Sequence, residues 1–307
     1  MTVNPDLHDE TLGLRRWPEP KALLQLTKPV TWFPPMWAYL CGIVSAGVSP
    51  TDRWGLVALG VVLAGPVVCG MSQVINDWAD RHVDAINEPD RPIPSGRVSA
   101  TWAFLIAIAM SALALWMGSF LGPWGLGATA AAVVAAWIYS VPPFRLKRSG
   151  WWGPGLVGLS YESLPWFTGA AVLSVGAPSF PVVIVALLYG IGAHGIMTLN
   201  DFKALKGDRA TGIRSLPVVV GPEVAAKIAC TVMALPQMLV ISLLIIWDRS
   251  LFAALVAASL LAQFAAMRVL FRDPAGKAPW YNATGVTLYV LGMMVTAIAI
   301  RSLEISS

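Results

Sequence analysis

Apolar residues in this chain come in long blocks. Nine stretches are almost free of charge: roughly 30–48, 55–76, 101–121, 124–141, 154–175, 180–199, 224–247, 251–270 and 282–300. Each is long enough for a helix to cross a hydrocarbon core about 30 Å thick, which takes about 20 residues. The pattern predicts an all-α polytopic membrane protein with nine transmembrane helices. Residues 21–307 form one transmembrane domain, preceded by a flexible polar N-terminus over 1–20. That N-terminus has no apolar run, so a cleavable signal peptide is not expected. Lys21 to Lys28 mixes basic and apolar residues and is expected to lie along the interface before the first crossing.

Composition agrees with this pattern and removes the soluble classes. Only 12% of the 307 residues are charged and 56% are hydrophobic, whereas soluble chains carry about 25% charged residues. Disorder, a disulfide scaffold and a nucleic-acid module are excluded for the chain as a whole. Cys41, Cys69 and Cys230 lie singly in apolar stretches and read as small packing residues. Fourteen tryptophans, many at span ends, fit an interfacial belt. Nine crossings put 18 of the 21 Lys and Arg residues on the N-terminal side of the membrane. By the positive-inside rule the N-terminus is cytoplasmic and the C-terminus is on the opposite, periplasmic side. Thirteen of the 17 acidic residues share the cytoplasmic side. Orientation does not require that, because carboxylates contribute little to it.

Two acidic segments explain the excess. The second stretch runs into Asn76-Asp77-Trp78, then Asp80 and Asp84; the sixth runs into Asn200-Asp201-Phe202, then Lys203 and Asp208. Both continue into an Arg-containing turn, at Arg91 and at Arg214, and the two segments lie 124 residues apart. The likeness suggests an internal duplication of the kind that places a site between repeats. On an α-helix Asp77, Asp80 and Asp84 fall within an arc of about 60°, and three carboxylates on one face repel one another. A bound cation is the simplest compensation. Asp201 and Asp208 share a face if the helix persists through Gly207. A solvated helix cap is the competing reading for either segment.

Oxygen-only clusters suit Mg²⁺, which is commonly held by one or two carboxylates together with substrate phosphates. Basic residues in the same loops suit a diphosphate. A diphosphate site at the mouth of an apolar bundle implies a lipid-tailed substrate, hence transfer from a prenyl diphosphate. A cation transporter is disfavoured, because transporters usually place their ionisable residues near the membrane midplane.

The stretch Asn76 to Asp84 resembles the first aspartate motif of the UbiA superfamily of intramembrane prenyltransferases. Its continuation from Asp84 to Gly96 is similar to the chlorophyll and bacteriochlorophyll synthase branch. So are Lys28 to Trp37, Tyr139 to Lys147, and Asn200 to Arg209 with Ser215-Leu-Pro217. The likeness extends from about residue 25 to the last stretch. It implies a UbiA-type fold of nine helices around a central cavity, in a bacterial inner or intracytoplasmic photosynthetic membrane. It further implies Mg²⁺-dependent transfer of a geranylgeranyl or phytyl group to the propionate carboxylate of bacteriochlorophyllide. Asn76, Asp77, Asp80 and Asp84, with Asp201 and Asp208, would hold metal. Arg91, Tyr139, Arg145, Lys147, Lys203 and Arg214 would lie near the diphosphate. The resemblance leaves room for protein partners in the pigment pathway, and chlorophyllide or an aromatic quinone precursor is the alternative acceptor. Many superfamily members have an aspartate at the position of Ala204, so the number of metal ions is open.

Two further residues stand apart. Glu162 is the one acid inside a predicted span, and intramembrane carboxylates are functional candidates by default. His194 is a candidate ligand to a tetrapyrrole metal, against the plainer reading of a packed helix residue.

Overall fold

The computed structural model of the protein describes residues 17–305 except 175, with Lys206 described by its backbone alone. Most of the segment 1–20 therefore lies outside the described residues. A short helix α1 (Pro20–Leu26) precedes the bundle, and helices then occupy all nine apolar stretches. They are α2 (Phe33–Ser45), α3 (Trp54–Asn87), α4 (Ala100–Ser119), α5 (Gly122–Ser140), α6 (152–174) and α7 (Phe180–Asn200). After two short helices, α8 (Leu205–Thr211) and α9 (Leu216–Val219), come α10 (Pro222–Ile246), α11 (Ser250–Leu270) and α12 (Pro274–Glu304). Six of the nine, α3, α4, α7, α10, α11 and α12, are long and apolar enough by themselves to cross a membrane. The other three, α2, α5 and α6, fall short of that length or apolarity.

Two helices run beyond their apolar stretches. The acidic segment at 76–84 continues α3 without a break as far as Asn87. The last helix starts at Pro274, where the Asp273 side chain accepts a hydrogen bond from the Gly276 amide at 3.0 Å and proline takes the first helical position. Two segments wind more widely, as π-helix: Leu63–Cys69 within α3 and Leu159–Ser163 within α6. Proline cannot donate to the carbonyl four residues back, so Pro66 releases Val62 and Pro165 releases Tyr161. A π turn absorbs the mismatch, and such turns recur at functional sites.

Small residues let the helices approach closely. A methyl group on Gly42 of α2 would collide with the Trp166 carbonyl of α6, and one on Gly169 of α6 would collide with the Tyr39 carbonyl of α2. Inside α10 and α11, the buried amides of Gln237 and Gln263 bond each other twice, at 3.1 and 2.9 Å. Large apolar side chains such as Leu105, Trp116, Leu239, Ile246 and Leu261 face outwards, as a lipid-exposed surface requires. Two arginines from the charge-poor side tie helix ends together. Arg53 donates to the Val172 and Leu173 carbonyls at 3.0 and 2.8 Å, and Arg249 donates to the Ser302 carbonyl at 2.9 Å.

Candidate active site

Helices α2, α3, α5, α6, α7 and α12 enclose a cavity of about 580 Å³, within the range of small-molecule sites. Its inner wall is mostly apolar, with Tyr39, Leu63, Ala132 and Val290 among the residues facing it. Its other end is polar, bounded by Asn76, Tyr139, Asp201 and Lys203, with Gln73 about one turn deeper on α3. Asp77, Asp80 and Asp84 continue α3 just past that rim. Helix geometry thus sets the acidic face of α3 next to Asn76, which lines the cavity mouth.

In the structure the chain's own cations pair with these carboxylates. Asp77 is almost fully buried and accepts from Lys28 at 2.7 Å and from Arg91 at 3.4 Å. Arg91 folds back from its loop to Asp84 at 2.8 Å and also pairs with Glu88. Arg145 and Lys147 hold Asp80 at 2.9 and 2.6 Å, and Lys147 also donates to Asn76 at 3.0 Å. Burial pulls the Lys147 amine below the ordinary lysine value of 10.5, and Asp80 opposes that shift. The Arg91 guanidinium is pushed up: burial lowers it, but Asp77, Glu88 and Asp84 together outweigh that.

Two of these cations stand on strained backbone. Lys28 and Arg145 have φ of 45° and 43°, a left-handed conformation that side chains with a Cβ rarely adopt. Left-handed backbone of this kind costs about 1–3 kcal/mol per residue and clusters at functional sites. Here it aims each side chain at the acidic face. Lys28 is a site residue that charge counting along the sequence missed. The signal lay in its place between α1 and α2, where a lone lysine precedes Pro29.

The second acidic segment differs from the first: the condition of one uninterrupted helix is not met. After Asn200 the chain tightens to a 3₁₀ turn over Asp201–Ala204 and then restarts as α8. Asp201 and Asp208 still lie close enough to repel each other. Burial pushes the Asp208 carboxyl up. Tyr139 shares the polar end of the cavity with Asn76 of the first acidic segment and Asp201 of the second.

Arg214 and His194 stand away from the cavity, whereas Arg91 stays with the acidic face. Arg214 is exposed, and its backbone exchanges hydrogen bonds with Arg148 and Gly150, so it braces the loop after α5 rather than lining the cavity. Arg91, like Arg145 and Lys147, pairs with the carboxylates of α3 and does not itself line the cavity. His194 packs against Trp151, ring centroids 4.6 Å apart, outside the cavity lining. Glu162 does line the cavity, buried, with one carboxylate oxygen lacking a partner.

The donor set defines what the mouth can hold. Among the described residues no three His, Cys, Asp or Glu side chains converge as a ready-made metal cage. Oxygen donors nevertheless surround the rim on two sides, and the buried Nε of Arg145 has no hydrogen-bond partner. A free buried donor is costly to leave unmade and suits a phosphate oxygen. The residues therefore fit a divalent cation that arrives with a polyanion, not one caged by protein alone.

Comparison with known proteins gives the chain's family. The UbiA prenyltransferase family matches residues 32–292. The chain is 68% identical over 305 residues, 99% of each chain, to the bacteriochlorophyll synthase 33 kDa chain of Cereibacter sphaeroides. It is 38% identical to the chloroplastic chlorophyll synthase of Arabidopsis thaliana, over 91% of this chain and 74% of that one. A UbiA homologue from Archaeoglobus fulgidus, solved bound to DMAPP and Mg²⁺, shares the fold: the TM-score is 0.70 at 20% identity, covering 90% of this chain and 99% of the other. Apolar cavity, acidic rim and full-length likeness lead to one conclusion: the chain is a member of the UbiA prenyltransferase family.

Proposed function

We propose that this protein transfers a geranylgeranyl or phytyl group from its diphosphate to the propionate carboxylate of bacteriochlorophyllide, forming an ester. The observation that carries the reading is the full-length 68% identity to a bacteriochlorophyll synthase. The cavity supports it, because an apolar chamber with a charged mouth takes an amphiphile with its charged end outermost. Mg²⁺, held by Asn76, Asp77, Asp80 and Asp84 with Asp201 and Asp208, would neutralise charge on the departing diphosphate. Arg145 and Lys147 stand beside Asp80, and Lys203 lines the cavity from the second acidic segment. Together they give the diphosphate fixed positive partners that are already in place before bond cleavage. The apolar inner wall keeps water from the allylic carbon while it carries positive charge. The N-terminus is cytoplasmic, in a bacterial inner or intracytoplasmic membrane, with the acidic rim on the same side.

The test uses purified full-length protein in detergent with Mg²⁺, geranylgeranyl diphosphate and bacteriochlorophyllide. Esterified pigment is the expected product. No ester, together with prenylation of 4-hydroxybenzoate, would replace this acceptor with a quinone precursor.

A further inference from the structure

The two π segments meet inside the cavity, and the meeting point is polar. Cys69 ends the first segment and Tyr161 lies in the second. The Tyr161 oxygen accepts from Gln73 Nε2 at 3.0 Å and from Cys69 Sγ at 3.3 Å. It lies 3.3 Å from Ser72 Oγ, whose own hydrogen goes to the Cys69 carbonyl at 2.7 Å. The one Cys69 thiol hydrogen has a second acceptor in the Thr31 carbonyl, also at 3.3 Å, so the phenolic hydrogen can turn to Cys69 Sγ, to Ser72 Oγ or to an incoming acceptor. Gln73 carries a second amide hydrogen with no partner among the described residues. Both orientations of its amide leave at least one N–H free. Gln73, Ser72 and Tyr161 all face the cavity.

We infer that Gln73 and Tyr161 form a carboxylate-binding subsite that positions the acceptor's propionate for attack on the prenyl group; this rests on the function proposed above. Depth along α3 carries the argument. Gln73 is one turn before Asn76 on nearly the same helix face, about 4.5 Å deeper into the bundle. If the rim holds the diphosphate, the carbon bonded to it lies one step inwards, at the level of Gln73 and Tyr161. In the reaction a carboxylate oxygen of the acceptor bonds to that carbon. The bond from the carbon to the diphosphate oxygen breaks, and diphosphate leaves with the electron pair. No base is required, because carboxylic acids of this class are ionised near neutral pH.

Neutral donors suit this task better than charged ones. The rim cations are already engaged by the aspartates, so a carboxylate deeper in the cavity needs its own donors. A buried arginine or lysine would hold it strongly but would draw off the negative charge that makes it a nucleophile. A phenol and an amide fix its position and leave that charge largely on the oxygens.

The experiment compares binding of bacteriochlorophyllide with that of its propionate methyl ester. Pigment fluorescence is titrated on the full-length protein with Mg²⁺ and no prenyl donor. Wild type is expected to prefer the free acid roughly tenfold, the scale of one good hydrogen bond. Tyr161→Phe and Gln73→Leu should each bring that ratio to within about twofold. Binding of the methyl ester should persist in both, reporting an intact cavity. The KM for geranylgeranyl diphosphate should stay at the wild-type value. An unchanged acid preference in both variants, or none in wild type, overturns the subsite. Ester synthesis by wild type is measured separately, so failure of the proposed reaction is distinguishable from failure of the subsite.

Discussion

At Asp80 two cations share one carboxylate, Arg145 at 2.9 Å and Lys147 at 2.6 Å. Replacing it with asparagine keeps the shape and removes the charge that both cations face. Asp80→Asn is expected to lower turnover by at least about 100-fold, the scale for losing a preorganised charged group. Expression should be nearly normal, because an asparagine oxygen still accepts from both cations. Full activity would mark the acidic face as a mere cap. Lys147 gives a pH prediction. Its proton is lost at lower pH than that of an ordinary lysine because burial disfavours the charge. As pH rises through that lowered value, Lys147 becomes neutral and the diphosphate is held less well. The KM for prenyl diphosphate should therefore climb on the alkaline side below pH 10.5, the unshifted lysine value. Lys147→Arg, which stays charged, should move that limb upwards; a limb indifferent to this change would remove Lys147 from the diphosphate contact.

At the scale of the element, the apolar stretches located every long helix, because only a helix satisfies its own backbone polar groups in lipid. The acidic face of α3 was legible for a related reason: spacings of three and four need no tertiary information to fall on one side. What the helices do locally was not legible. Pro66 and Pro165 can kink, break or widen a helix, and the outcome at both is a π segment that turns polar groups inwards. The second acidic segment reads like the first, yet the helix gives way at Asp201 to a tighter turn. Close packing of α2 on α6 gives a further expectation. Because backbone lies against backbone at Gly42 and Gly169, Gly42→Val must push the helices apart. It should cost about 1–3 kcal/mol or more, measured as a lower unfolding temperature in detergent. Gly127→Ala is the control, since nothing lies near a methyl group there.

For the molecule as a whole, orientation and metal dependence are the testable properties. Alkaline phosphatase fused after residue 307 is expected to be active, and the same enzyme fused within the loop around residue 90 is expected to be silent. The reverse would invert the charge argument. Removing divalent cations with EDTA should abolish ester formation, and added Mg²⁺ should restore it. The fold should survive the treatment, because Lys28, Arg91, Arg145 and Lys147 already compensate the rim carboxylates. Apolar block length, loop charge and helical spacing are local properties of the chain. By themselves they determined that it is a helical membrane protein with one acidic helix face. Which cation meets which carboxylate was decided only by tertiary structure. Lys28 lies 49 residues from Asp77, and Arg145 lies 65 from Asp80. Two left-handed residues aim those side chains, and no periodicity encodes that. The polar junction of Tyr161 with Gln73 is of the same kind, since it exists only where two widened helices pack against each other.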